Sequence, residues 1–153
     1  MSATPPLARS IGVTERALRS LLDQRLLEAG LSFAQWAVLN FLHAGGPLSP
    51  AQLIGQQQAA FVADEAQARE AVDDLLARGL IGPGIEADGT GAPAEGPLTV
   101  TEAGRAVFEP LRAGSVTVTQ ELWGDLPAAD LEATHRTLTE IGRRANLRLA
   151  GHS

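Results

Sequence analysis

The sequence predicts a mainly α-helical fold with one small β-hairpin, on three observations. Apolar residues at helical spacing run over residues 7 to 29 and return from Thr101 onward. Between them come three helix-start signatures, Ser32-x-x-Gln35, Ser49-Pro50-x-Gln52 and Asp64-x-x-Gln67, at intervals of 17 and 15 residues. Two apolar or β-branched runs, Leu80-Ile81 and Leu98-Thr99-Val100, then flank GPGIEADGTGAPAEGP, whose five Gly and three Pro exclude a helix. The order is long helix, three short helices, hairpin, two long helices. In outline this is a winged helix-turn-helix with additional terminal helices.

The first helix rests on Leu7, Ile11, Leu18, Leu21, Leu22 and Leu26, spaced by threes and fours up to Gly30. In each start signature the Ser or Asp oxygen accepts from the N–H three residues on, and the Gln reaches back to the cap's own N–H. Pro50 adds a residue suited to the first helical position, where an N–H would lack a partner anyway. The helix from about 33 to 43 offers Trp36, Val38, Leu39 and Leu42 to a core, and Gly45-Gly46-Pro47 ends it. The third short helix lies in DEAQAREAVDDLLARGLI (64–81) and stops near Gly79. At about 100° per residue, Ala68, Val72 and Leu75 form its core face. Ala66, Glu70, Asp73 and Ala77 point away, with Gln67 and Arg69 on opposite flanks. The segment 82–97 reads as a wing.

After the wing, Val107, Leu111, Val118 and Leu122 recur at nearly sevenfold spacing. Leu126-Pro127 interrupts the pattern, and Leu131, Leu138, Ile141, Ala145 and Leu149 form a final stripe. One subunit can hardly bury such narrow seams alone. Residues 7–29 and 105–150 are therefore expected to form a two-fold homodimer interface beside a lobe at 31–104, in a single domain over 1–153, the alternative being an intramolecular bundle.

Composition narrows the function. With 153 residues and 44% apolar content the chain is long enough for a core. The absence of cysteine excludes disulfides and thiolate metal ligands. No apolar run approaches the ~20 residues of a membrane span, and MSATPPLARS lacks a signal-peptide core, so a cytoplasmic protein is expected. His43, His135 and His152 have no partner at ligand spacing, so no metal site is expected. Asp73 and Asp74 are adjacent and diverge on a helix, and the Gly-rich segment opens no helix that would cradle phosphate. Neither an enzyme nor a cofactor is expected. All twelve cations are arginine, and residues 26–104 hold ten acids against only Arg69 and Arg78, net −8.

LLEAGLSFAQWAVLNFL (26–42), PLSPAQL (47–53), AVDDLLARGLI (71–81) and LTVTEAGRAVFEPL (98–111) resemble, in this order, the MarR family of bacterial transcriptional regulators. The likeness covers roughly residues 7 to 150, and GLI followed by LTVTEAG is its most specific part. It implies a dimeric winged helix that represses or activates promoters and binds a small, often aromatic anion between the dimerisation helices and the DNA-binding lobe. Three features depart from the family pattern. The wing sequence IEADGTGAPAEG has no cation where the family usually carries an arginine for the minor groove. About four extra residues lie within GQQQAAFVADEA. The helix placed to read DNA is acidic, with Arg69-Glu70 where the family often has Thr-Arg.

The expected function is thus a homodimeric, ligand-responsive DNA-binding regulator. Ser49, Gln52, Gln67 and Arg69 are the candidate DNA contacts, with Thr90 in the wing. Where the resemblance puts the effector pocket beside the first helix, Arg16 and Arg19, three residues apart, are the candidate clamp for a carboxylate and Trp36 and His43 an aromatic wall, the alternatives being ion pairing for the arginines and core packing for Trp36. The alternative is a dimer of the same fold that no longer binds duplex DNA and serves as a small-molecule or protein-partner module. Glu70 and Asp73 would repel phosphates, although a carboxylate can accept from cytosine N4.

Overall fold

A computed structural model describes residues 5–60, 62–84 and 96–151. It contains α1 (Leu7–Ala29), α2 (Phe33–Gly45), α3 (Pro50–Ala59), α4 (Glu65–Ala77), β1 (Ile81–Pro83), β2 (Leu98–Val100), α5 (Glu102–Trp123) and α6 (Ala128–Ala150). The strands pair antiparallel, with Ile81 opposite Val100 and Pro83 opposite Leu98, and a bridge joins Leu48 to Leu98. The fold is mainly α with a small two-stranded sheet, as expected. Most of the wing loop, including Thr90, lies outside the described residues.

All three start signatures form complete capping boxes. Ser32, Ser49 and Asp64 accept from the N–H of Gln35, Gln52 and Gln67, and each Gln side chain accepts from its cap's N–H. Each box satisfies two otherwise orphaned donors, and loss of a cap side chain typically costs about 1 kcal/mol. Short helices of 10 to 13 residues are marginal alone, so these caps help define where α2, α3 and α4 begin.

The chain divides into two compact units, Met1–Arg112 and Ala113–Ser153. In the first, Leu26, Trp36, Val38, Leu39, Leu42, Leu53, Val72, Leu75, Leu98 and Phe108 are among the residues of one buried cluster. Ala68, Val72 and Leu75 are the buried face of α4, while Ala66, Glu70, Asp73 and Ala77 are exposed, as the helical projection predicts. The LTVTEAG stretch has a geometric cause. The Thr101 hydroxyl donates to the Gly79 carbonyl at 2.6 Å and accepts from the Gly104 N–H at 3.0 Å, capping α5 while holding the end of α4. A Cβ on Gly104 would stand 2.0 Å from the Leu80 carbonyl oxygen, so only glycine allows this approach.

In the second unit, no residue of α6 is buried. Leu138, Ile141, Leu147 and Leu149 are exposed there, as are Leu7, Ile11, Leu18 and Leu21 on α1 in the first unit. On α6, Arg143 and then Arg144 donate to Glu140 and hold its carboxyl at about 2, well below its ordinary range. The three side chains form a solvated cluster, which gives Arg143 and Arg144 a role within their own helix.

One core residue runs against its surroundings. Gln57 on α3 is fully buried, and among the described residues neither its Nε2 nor its Oε1 has a hydrogen-bond partner. A buried unpaired amide is destabilising, whereas an apolar group of the same shape is not. Gln57→Met, close in length and volume, is expected to stabilise the protein by about 1–3 kcal/mol. Urea or thermal unfolding checks this, and a midpoint equal to or below wild type would show that the amide is satisfied.

Candidate nucleic-acid interface

The N-terminal ends of α3 and α4 open a common cleft of about 570 Å³, lined in part by Ser49, Gln58, Glu65 and Arg69. Helix N-termini present unpaired N–H groups and a positive dipole end, and so suit phosphate. The structure brings Ser49 and Arg69 to this cleft, with Gln52 and Gln67 in the first turns of its two helices. Their capping boxes occupy much of what these side chains offer. The Ser49 Oγ accepts from Gln52 N–H at 3.2 Å, and Gln52 and Gln67 use their Oε1 atoms on Ser49 N–H at 2.8 Å and Asp64 N–H at 3.3 Å. The Nε2 ends of both glutamines are the groups left to donate to a ligand. Arg69 Nη2 lies 3.0 Å from Glu65 Oε1 in an exposed i,i+4 pair, an interaction weak enough for a phosphate to displace.

The acids of α4 and its cap separate by role. Asp64 is the N-cap, Glu65 pairs with Arg69, and Asp74 accepts from Gln35 Nε2 and stands 3.8 Å from Arg78. Glu70 and Asp73 are exposed on the outer face, away from Ala68, Val72 and Leu75. Three of the five carboxylates thus have structural work. The charge left for a ligand to meet is chiefly that of Glu70 and Asp73.

A second cleft, of about 1260 Å³, runs along α4, shares Glu65 and Arg69 with the first, and is also lined by Arg19, Phe33, Gln35, Glu70, Asp73 and Asp74. Arg19 is among its lining residues. Its guanidinium carbon sits 3.4 Å from the Phe33 ring centroid, a cation–π contact, and its Nε lies 3.2 Å from Asp23. Arg16 is exposed on α1. Trp36 is 9% exposed and packs in the core, its ring centroid 5.1 Å from that of Phe108. His43 meets the same phenylalanine at 5.2 Å. His43 and Phe108 line a third cleft of about 230 Å³ with Pro47, Thr99, Arg105 and Glu109.

His43 and Trp36 both pack on Phe108, with Trp36 buried behind it. The arginine lining the third cleft is Arg105, and Arg19 and Arg69 line the second. Sequence reading missed Arg105 and Phe108 here, although Phe108 falls four residues after Gly104 and three before Leu111 on the buried face of α5. It also missed the Gln35–Asp74 bond, because 39 residues separate the partners.

No protein-family model matches the chain, and no curated protein matches its sequence. Solved structures do match. The chain is similar to a MarR-family transcriptional regulator from Silicibacter pomeroyi, with TM-score 0.69 and 20% identity over 89% of this chain and 87% of that one. It is similar to Staphylococcus aureus MarR in complex with salicylate and kanamycin, with TM-score 0.75 and 15% identity over 91% and 89%. It is also similar to MepR of S. aureus in a DNA complex, with TM-score 0.71 and 16% identity over 90% and 95%. At these identities the likeness shows the fold: a winged helix-turn-helix of the MarR type.

Proposed function

We propose that the chain is a MarR-like transcriptional regulator, active as a homodimer, that places α3 and α4 on duplex DNA and responds to a small aromatic anion. The observation that carries the reading is the cleft between the capped N-termini of α3 and α4, with Arg69 at its edge, in a fold whose solved neighbours include DNA complexes. The exposed apolar residues of α1 and, separately, of α6 support the homodimer. The test is a salt-titrated binding measurement against DNA flanking the protein's own gene. Saturable, salt-dependent binding supports the regulator, with Arg69→Ala weakening it.

The exposed Glu70 and Asp73 favour a second reading, in which the dimer keeps the fold but not duplex binding and serves as a small-molecule or protein-partner module. Absence of binding to any promoter fragment at low salt selects this reading.

For the effector, an aromatic carboxylate fits the 230 Å³ cleft, with Arg105 to meet the carboxylate and His43 and Phe108 to meet the ring. One solved neighbour holds salicylate, which supports this ligand class. Fluorescence of Trp36, which packs on Phe108, is expected to report binding, with Trp123→Phe removing the other indole signal. Arg105→Ala is expected to weaken affinity about 10- to 100-fold, the size of a charge-assisted hydrogen bond. If the paired Arg16→Ala and Arg19→Ala variant loses binding and Arg105→Ala does not, the anion sits against α1.

A further inference from the structure

We infer that Asp74 is a positioning residue. It locks the DNA-reading helix to the α1–α2 corner, so that this one acid of α4 favours DNA binding while Glu70 and Asp73 oppose it. The inference rests on the proposed reading of α4 as the DNA-facing helix.

The corner is a tightly wound exit from α1. Gly30 is left-handed at φ 72°, and the Leu31 N–H returns to the Leu26 carbonyl at 2.9 Å, closing α1 with a Schellman-type end. Ser32 then caps α2, and Gln35, 9% exposed, reaches back to the Ser32 N–H through Oε1 at 2.9 Å. The other end of the same amide donates from Nε2 to Asp74 Oδ2. One turn further along α4, Arg78 stands 3.8 Å from that carboxylate oxygen, and its Nη1 donates to the Gly30 carbonyl at 2.9 Å. The C-terminal half of α4 thus grips the corner at two points. Gln35 holds the start of α2, Arg78 holds the end of α1, and Asp74 joins the two.

Core packing through Ala68, Ala71, Val72 and Leu75 sets how deeply α4 sits. Small apolar contacts of this kind do little to resist rotation about the helix axis. The polar lock on one flank supplies that restraint, because hydrogen bonds are directional where apolar burial is not. A change at α1 that moves Gly30 is then passed through Arg78 and Asp74 to the helix that meets DNA.

The test compares three neutralisations in the full-length protein: Glu70→Gln, Asp73→Asn and Asp74→Ala. All three remove one negative charge from α4, so a purely electrostatic role predicts tighter DNA binding each time. The lock predicts opposite signs. Asp74→Ala is expected to bind promoter DNA roughly tenfold more weakly, the size of one charge-assisted hydrogen bond, with the slope of log K against log salt unchanged because no phosphate contact is lost. Gln35→Met combined with Asp74→Ala should cost little more than Gln35→Met alone, which also removes the bond to the Ser32 N–H. Asp74→Asn, which keeps an acceptor for Gln35, should fall between, and it serves if Asp74→Ala does not fold.

Hydrogen exchange of the free protein gives a readout that needs no DNA. Asp74→Ala should speed exchange in residues 30–35 as well as in α4. Binding by Asp74→Ala as tight as by Glu70→Gln overturns the inference. So does faster exchange confined to α4. If wild type binds no DNA at all, the regulator reading fails, and the exchange pattern alone decides whether the lock exists.

Discussion

Replacing Leu138 and Ile141 together with aspartate is expected to convert the protein to a monomer, or to unfold it, at micromolar concentration. Both side chains are exposed on α6, a 23-residue helix with no buried residue among its own. So long an amphipathic helix gains little stability from propensity and needs its apolar stripe covered. In a two-fold interface each substitution appears twice, so the double variant places four carboxylates in the seam. An uncompensated buried charge costs about 3–5 kcal/mol, so four of them outweigh the roughly 8 kcal/mol that corresponds to micromolar association. Charge pairing is no remedy, because Glu140 already holds both Arg143 and Arg144 on the same helix. Sedimentation velocity on wild type and variant decides the matter. A wild type that sediments as a well-folded monomer at micromolar concentration removes the dimer from the proposal.

What the sequence disclosed and what it withheld divide by range. The capping boxes at Ser32, Ser49 and Asp64 are legible because donor and acceptor lie three residues apart, and a helix start has few other solutions. The buried face of α4 is legible for the same reason, since 3.6-residue periodicity alone assigns Ala68, Val72 and Leu75 to the core. The LTVTEAG motif can be recognised, but its cause cannot be read, because Gly104 answers to the Leu80 carbonyl across the strand entry.

The candidate ligand site was legible only in part. Trp36 and His43 do lie on one face of α2, yet their common neighbour Phe108 comes from α5, and Trp36 is buried with it in the core. Arg19 has an intrahelical partner in Asp23 that spacing reveals, and a ring partner in Phe33 that it does not. Within Gln56-Gln57-Gln58 nothing local says which amide turns inward; the packing of α3 decides it, and Gln57 is the one. Of the acids of α4 and its cap, Asp64 and Glu65 have partners in Gln67 and Arg69 at spacings that the sequence displays, whereas the Gln35 amide that sets Asp74 apart comes from another helix.

Exchanging Glu70 for Gln and Asp73 for Asn in one variant is expected to tighten non-specific duplex binding roughly tenfold at low salt, by removing exposed like charges from both subunits of a dimer. The effect should shrink as salt rises and disappear near molar salt, where the screening length falls to about 3 Å. The slope itself follows about 0.9 per phosphate neutralised, and neither substitution adds a cation, so both slopes should be shallow, the variant's being the steeper only by the advantage that salt screens away. Its shallowness follows from the cation inventory: Arg69 is half-committed to Glu65, Arg78 to the Gly30 carbonyl, and residues 82–97 contain no Lys or Arg. Fluorescence anisotropy with a promoter fragment and a scrambled duplex, each over a salt series, measures both quantities. A variant that loses preference for the promoter while its grip on the scrambled duplex stays constant would assign the carboxylates to base reading, with cytosine N4 as the donor. In that case the acidic face of α4 selects sequence, and tight binding must come from elsewhere in the dimer. Tightening on both duplexes alike assigns Glu70 and Asp73 to repulsion alone, leaving Arg69 and the N-terminal ends of α3 and α4 as the contacts that hold DNA.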